Sequence, residues 1–155
     1  MPYIEQAEPE PGCLLCNKAR DHQDERDHIV YRGSRCFVML NLYPYNSGHL
    51  MVAPYQHTGQ LDQVDPEVGA EIFTTAQLAI RALTEAMHPD GFNLGINQGT
   101  VAGAGVAEHI HLHIVPRWNG DTNFMPVLAD AKVIPEMLTR TAAKLRPLFR
   151  RPDGA

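Results

Sequence analysis

Residues 108–118 read Glu108-His109-Ile110-His111-Leu112-His113-Ile114-Val115-Pro116-Arg117-Trp118. Side chains alternate faces along a strand, so this pattern predicts a strand over His109 to Arg117. His109, His111 and His113 are expected on one face, with Ile110, Leu112 and Ile114 on the other. Successive imidazoles would then stand about 6.5–7 Å apart at Cα. A solvated strand face ordinarily mixes Thr, Ser, Lys and Glu, so three histidines in this register point to chemistry.

Working outward, a second strand is expected at Phe92 to Asn97, joined to the first by a Gly-rich connection. Upstream of it Asp65 stands as a candidate helix cap before Pro66 and Glu67, and Val68, Ile72, Ala76, Ile80, Leu83 and Met87 recur at helical spacing. Pro89 and Gly91 end that helix. Three further strands, Ile29 to Arg32, Cys36 to Leu42 and His49 to Pro54, are separated by Gly33-Ser34 and Tyr45-Asn46-Ser47-Gly48. Downstream, Pro135 opens a helix with Met137, Leu138, Ala142 and Leu145 on one side, and Pro147 breaks it. Clustered strands with a single interrupting helix favour an α+β fold over a βαβ nucleotide fold. The expected fold is a five-stranded antiparallel sheet with one long central helix and a C-terminal helix. It forms a single domain over residues 13–150, preceded by an acidic, Pro-rich, disordered tail at residues 1–12. The charged run from Lys18 to His28 reads as a solvated helix or loop.

The chain of 155 residues is 44% apolar and 20% charged, with a formal net charge of -5. That balance argues against a nucleic-acid polymer or an anionic membrane as partner. No apolar run approaches the roughly 20 residues that span a bilayer, and the start does not read as an export signal, so a cytoplasmic protein is expected. Three cysteines, Cys13, Cys16 and Cys36, are too few for a disulfide framework. Cys13 and Cys16 form C-x-x-C, which in a reducing compartment means metal or redox chemistry. The redox version normally opens a helix in a βαβ setting, which is not expected here. Cys36, inside a strand, reads as core.

The histidine face admits two chemistries: a His-rich catalytic metal site, or an imidazole nucleophile with imidazole helpers. The connection Asn97-Gln98-Gly99-Thr100-Val101-Ala102-Gly103-Ala104-Gly105 brings bare backbone amides near the histidines. Concave amide clusters of this kind bind phosphate. The loop has no Gly-Lys-Ser/Thr ending and is not a P-loop. No Lys or Arg lies between Ile96 and Pro116, so backbone dipoles and histidine protons would meet the phosphate charge. Phe37, Leu40 and neighbouring aliphatics of the first strands are candidates for an apolar slot that takes a base. Trp118 reads either as core or as a contact to a distal part of the substrate.

With these residues in view, the chain resembles the histidine triad family of nucleotide hydrolases and transferases. The resemblance runs from about Cys13 to Trp118 and rests on H-I-H-L-H-I-V, L-N-L-Y-P-Y-N-S-G-H-L-M-V and the N-x-G-x-x-A-G loop. The segment P-R-W-N-G-D-T-N-F is similar to the branch that acts on dinucleoside polyphosphates, the fragile-histidine-triad and diadenosine tetraphosphate hydrolase or phosphorylase group. The resemblance implies that His111 is the nucleophile, attacking an α-phosphorus to form a nucleotidyl-histidine. It implies that His113 bonds the reacting phosphate and that His49 orients the nucleophile. Asn41 would bond the ribose, while Gln98, with Asn97 beside it, would contact the leaving phosphate side. Gly105 departs from the family pattern, which often has a side-chain donor there; Gly105 and Val106 offer only backbone N–H groups. Zinc-containing members imply a structural zinc on Cys13, Cys16, His57 and His109, with His22 or His28 as alternatives to His57. A homodimer with a continuous sheet is implied as well. The rival functions are a nucleoside phosphoramidase, a non-catalytic nucleotide-binding signalling module, and a metal hydrolase using His109, His111 and His113.

Overall fold

The computed structural model describes residues 10–121 and 135–150. Five strands form one antiparallel sheet in the order β1-β2-β3-β5-β4: β1 (Ile29–Arg32), β2 (Cys36–Leu40), β3 (Leu50–Pro54), β4 (Gly91–Ile96) and β5 (Leu112–Arg117). Helices α1 (Leu14–Asp21) and α2 (Asp24–Asp27) precede the sheet, α3 (Pro66–Met87) lies between β3 and β4, and α4 (Pro135–Leu145) follows β5. This is the expected α+β architecture. Among the described residues no helix is long and apolar enough to cross a membrane. The tail expected at residues 1–12 and the stretch 122–124 fall mostly or wholly outside the described residues.

The strand β2 is buried along its whole length because both of its faces are covered. Val38 and Leu40 join Leu50, Val52, Ile114 and the α3 residues Ile72, Ala76, Ala79 and Leu83 in the main core. On the opposite face Phe37 and Met39 pack with Leu15, Ile29 and Ala53 in a second core beneath α1. The site described below lies on that second face. Pro66 sits in the first turn of α3, but Asp65 makes no side-chain cap bond, and the helix ends at His88 in a left-handed conformation, before Pro89 and Gly91. Cys36 is core, bonded at 3.1 Å to Thr75 Oγ1, and burial pushes its thiol up to about 12.

Five boundaries and one segment differ from expectation. The strand β2 stops at Leu40, two residues short of Leu42, and β3 starts at Leu50 rather than His49. The strand β4 covers Gly91–Ile96 and leaves Asn97 to the loop. The strand β5 starts at Leu112, because the segment before it bonds elsewhere: the His109 amide donates to Val106 O and the Ile110 amide to Thr58 O. The charged run from Lys18 to His28 is not simply solvated. Asp27 is buried and accepts from Lys18 Nζ at 3.0 Å and from Arg26 at 3.0 and 3.1 Å. Burial alone would raise its pKa, but these two cations hold it below the usual carboxylate range.

Candidate active site

His111 and His113 are two apart and share one face, with ring centroids 4.8 Å apart. His49 reaches them from the neighbouring strand. Met51 is paired with His113, so His49, two residues earlier, is a diagonal neighbour. Its Nε2 lies 2.9 Å from His113 Nδ1.

Backbone partners fix the tautomers of this trio. His111 Nδ1 lies 2.9 Å from the His109 carbonyl oxygen, which can only accept. The hydrogen is therefore on Nδ1 and the lone pair on Nε2. The Tyr45 amide donates to His49 Nδ1 at 3.2 Å, which puts the His49 hydrogen on Nε2. His49 Nε2–H then donates to His113 Nδ1, leaving the His113 Nε2–H as a donor. Burial, reinforced by the adjoining histidines, lowers both His49 and His113 to about 4, so both are neutral at pH 7. The site thus pairs a bare imidazole nitrogen with a neutral imidazole donor. Tyr45 also lays its ring against His49 at a centroid distance of 5.0 Å.

A cavity of about 340 Å³ opens beside the trio. His111, His113, Gly103, Gly105 and Val106 form one part of its wall, and Leu14, Leu15, Met39, Met51, Leu42 and Tyr43 give most of the rest. Among the described residues the backbone amides of Gly105 and Val106 have no hydrogen-bond partner. They are donors at the cavity wall, whereas the amides of Ala102, Gly103 and Ala104 are used inside the loop. Asn41 lines the same cavity; its Oδ1 accepts from the Tyr43 amide and its Nδ2 lies 3.5 Å from His49 Nε2.

Phe37 and Leu40 do not line this cavity. Phe37 is stacked on Tyr55 at 5.6 Å in the second core, and Leu40 is on the opposite face of β2 in the main core. Met39 lines it instead, with Leu14 and Leu15 of α1. Gln98 is elsewhere too: it accepts from the Leu61 amide at 2.9 Å and donates to Gln60 at 3.1 Å. Asn97 lines a neighbouring cavity that includes His113, Asn93 and Arg117. Trp118 Nε1 donates to the Met87 carbonyl at 3.3 Å. The turn after β5 is locked by Asp121, which accepts from Arg117, the Trp118 amide and Asn46, and Arg117 holds its carboxyl well below the usual range.

His109 lies outside the strand and serves a different cluster. Its ring is 5.3 Å from that of His57, and the ligand atoms of Cys13, Cys16, His57 and His109 all lie within 4.8 Å of one another. His22 and His28 are not in this group. His109 Nε2 is 2.7 Å from the Pro54 carbonyl oxygen, so its hydrogen is there and its Nδ1 lone pair faces the cluster. The His57 Nδ1 to His109 Nδ1 distance is 3.3 Å, and Cys13 and Cys16 Sγ lie 3.3 and 3.4 Å from His109 Nδ1. Bonds of about 2.0–2.1 Å to nitrogen and 2.3 Å to sulfur give tetrahedral edges of roughly 3.3–3.6 Å wherever a nitrogen is involved, so these distances fit a four-coordinate metal. Cys13 caps the start of α1, so the C-x-x-C pair does open a helix, though no parallel strand accompanies it.

The family model of the HIT domain matches residues 22–120, the span that carries the histidine trio and the sheet. The chain belongs to the HIT domain family. It is 47% identical over 118 residues to the AP-4-A phosphorylase of Mycobacterium tuberculosis, a match that covers 76% of this chain and 60% of that protein. It is 27% identical to the bis(5'-adenosyl)-triphosphatase of Dictyostelium discoideum, covering 80% and 87% of the two chains. Among solved HIT structures, a Zn-bound histidine triad family protein from Mycobacterium smegmatis superposes with a TM-score of 0.73 at 31% identity, covering 89% of this chain and 93% of that one.

Two features of the HIT site had no sequence reading. One is the Tyr45 amide, whose donation to His49 depends on how the 41–48 turn closes. The other is the α1 wall, where Leu14, Leu15 and Lys18 share a helix face; their i, i+1, i+4 spacing was the available signal.

Proposed function

We propose that this HIT domain cleaves dinucleoside polyphosphates of the diadenosine tetraphosphate type through a covalent nucleotidyl-His111. The observation that carries this reading is the tautomer of His111: with Nδ1–H held by the His109 carbonyl, the Nε2 lone pair is free for in-line attack. The Nε2–P bond forms as the α-phosphorus to bridging-oxygen bond breaks. The leaving polyphosphate takes the electron pair, and the neutral His113 Nε2–H hydrogen-bonds that departing oxygen. The amides of Gly105 and Val106 bind the non-bridging oxygens, in the manner of an oxyanion hole. In the second step an oxygen of water or of inorganic phosphate attacks phosphorus and the N–P bond breaks. Asn41 bonds the ribose. On the leaving side Asn97, beside His113, is better placed than Gln98, which would first have to give up its bonds to Gln60 and Leu61. The relatives' names support the substrate class, and the match with the phosphorylase favours phosphate as second acceptor.

The four-residue cluster is assigned to a structural zinc. Cys13, Cys16, His57 and His109 complete a tetrahedral set with no open position, so the ion would supply a cross-link between α1, the end of β3 and the segment before β5. A homodimer continuing the sheet is assigned to the open edge at β4, where Leu94 is exposed.

The test is quenching of the protein with α-labelled diadenosine tetraphosphate in alkaline denaturant, where an imidazole N–P bond survives. Label should be trapped on protein and lost in His111→Ala. Products should be ADP and ATP when phosphate is the acceptor, and AMP and ATP when water is. Absence of trapped label together with loss of activity on chelation would favour a metal hydrolase instead.

A further inference from the structure

His113 lines two cavities. One is the mostly apolar cavity that holds His111, and the other, of about 450 Å³, opens on the β4 side. Gly95 is paired with His113 and Asn93 with Val115, so Asn93, Gly95 and Asn97 share the face of the sheet on which His113 stands. All three line the second cavity. A Cβ at Gly95 would meet no atom within 4 Å, so the sheet beside the His113 ring is a bare floor. Asn93 and Asn97 stand at its two ends, each about 6.5–7 Å from Gly95 at Cα. Arg117 Nη1–H donates to Asn93 Oδ1 at 2.8 Å, which turns the Asn93 Nδ2 donors away from the guanidinium. Among the described residues those donors have no hydrogen-bond partner. Asn93 is also exposed, so this end of the floor is reached from solvent.

We propose that Asn93 and the open floor at Gly95 form the subsite of the second acceptor, inorganic phosphate. The inference rests on the nucleotidyl-His111 reading. In-line displacement sends the leaving group off opposite the nucleophile, so the second acceptor must enter where that group left, beside His113. A phosphate whose attacking oxygen lies at His113 has its remaining oxygens over Gly95, where Asn93 Nδ2 donates to them. An oxygen of hydrogen phosphate then bonds the α-phosphorus as the Nε2–P bond breaks, and the electron pair returns to His111 Nε2. That oxygen carries no proton to be removed, whereas an attacking water must give one up. Asn93 thus favours phosphate over water as acceptor, and Arg117 is the positioning residue that orients it.

The test loads His111 of the full chain from the p-nitrophenyl ester of AMP, whose leaving group brings no phosphate of its own, and measures the ratio of ADP to AMP as inorganic phosphate is raised. In wild-type protein the ratio should climb in proportion to phosphate. Asn93→Asp keeps an oxygen for Arg117 but replaces the donor with a carboxylate oxygen, and should lower that slope at least about tenfold, the worth of one hydrogen bond to a charged group. Gly95→Ala puts a methyl group on the floor at a φ that any residue adopts, and should lower the slope as well. Both products come from one intermediate, so their ratio is independent of the fraction of protein folded and of the rate of loading. A smaller fall in Asn93→Asp, or an unchanged slope in Gly95→Ala, overturns the subsite and leaves nucleotidyl-His111 intact. AMP alone from wild-type protein at every phosphate concentration does the same. No label trapped on wild-type protein from the α-labelled ester overturns both.

Discussion

His49→Ala separates a positioning role from a structural one. His49 is fully buried and carries two hydrogen bonds, from the Tyr45 amide at 3.2 Å and to His113 at 2.9 Å. Truncation leaves the amide and His113 Nδ1 without their partner and opens a void. Partial rescue by water keeps the cost near 3 kcal/mol, within the range for two orphaned polar groups. At about 2–4 °C per kcal/mol for a chain of this size, Tm should fall by roughly 6–12 °C. The kinetic effect has a different origin. Without the His49 Nε2–H, His113 can move its own hydrogen to Nδ1, and the donor toward the leaving oxygen is no longer enforced. Losing that bias should slow formation of nucleotidyl-His111 by about tenfold to a hundredfold, bounded above by the value of a complete general acid. Assays below the lowered Tm with phenyl and p-nitrophenyl esters of AMP sharpen the reading. The phenyl ester, with the poorer leaving group, should suffer more. Rates falling equally for both esters, or remaining within twofold of wild type despite the lower Tm, would refute the relay.

Acid should weaken the fold through the same pair. Burial holds His49 and His113 at about 4, against about 6.5 in an unfolded chain, so the unfolded state binds more protons between those pH values. Their neutral burial is fully compatible with the fold above pH 6.5, and stability drains away as pH falls toward 4. His113→Asn removes one of these groups, so the Tm gap between wild type and variant should narrow from pH 7 to pH 4.5 by scanning calorimetry; a constant gap contradicts the assignment. Metal analysis should find one zinc per chain. Chelation or Cys16→Ser should lower Tm by at least about 5 °C, with zinc restoring the chelated protein alone; equal Tm with and without chelator counts against a structural ion.

Elements with strong periodicity were readable in advance. The α3 pattern from Val68 to Met87 and the order of the strands both carry through to the observed fold. The start of β5 was not readable, because nothing in His-x-His-x-His says that the His109 and Ile110 amides bond Val106 and Thr58 instead of a sheet partner. Helix α1 was missed for a local reason: its opening residue Cys13 caps no amide through its side chain, and a charged sequence follows. The sequence makes Phe37, Leu40 and their aliphatic neighbours equal candidates for a base slot because β2 is apolar on both sides, and alternation alone cannot say which side meets the histidines. The Cys/His cluster brings together residues 13, 16, 57 and 109, a grouping the resemblance implied and spacing alone left open between His57, His22 and His28.

Residue 109 belongs to two neighbourhoods at once. Its ring is clamped between the Pro54 carbonyl and the sulfur pair, while its own carbonyl anchors the imidazole two positions later. One peptide unit thus joins the Cys/His corner to the orientation of His111. On the roles proposed above, an ion seated at that corner would also steady the aim of the attacking nitrogen.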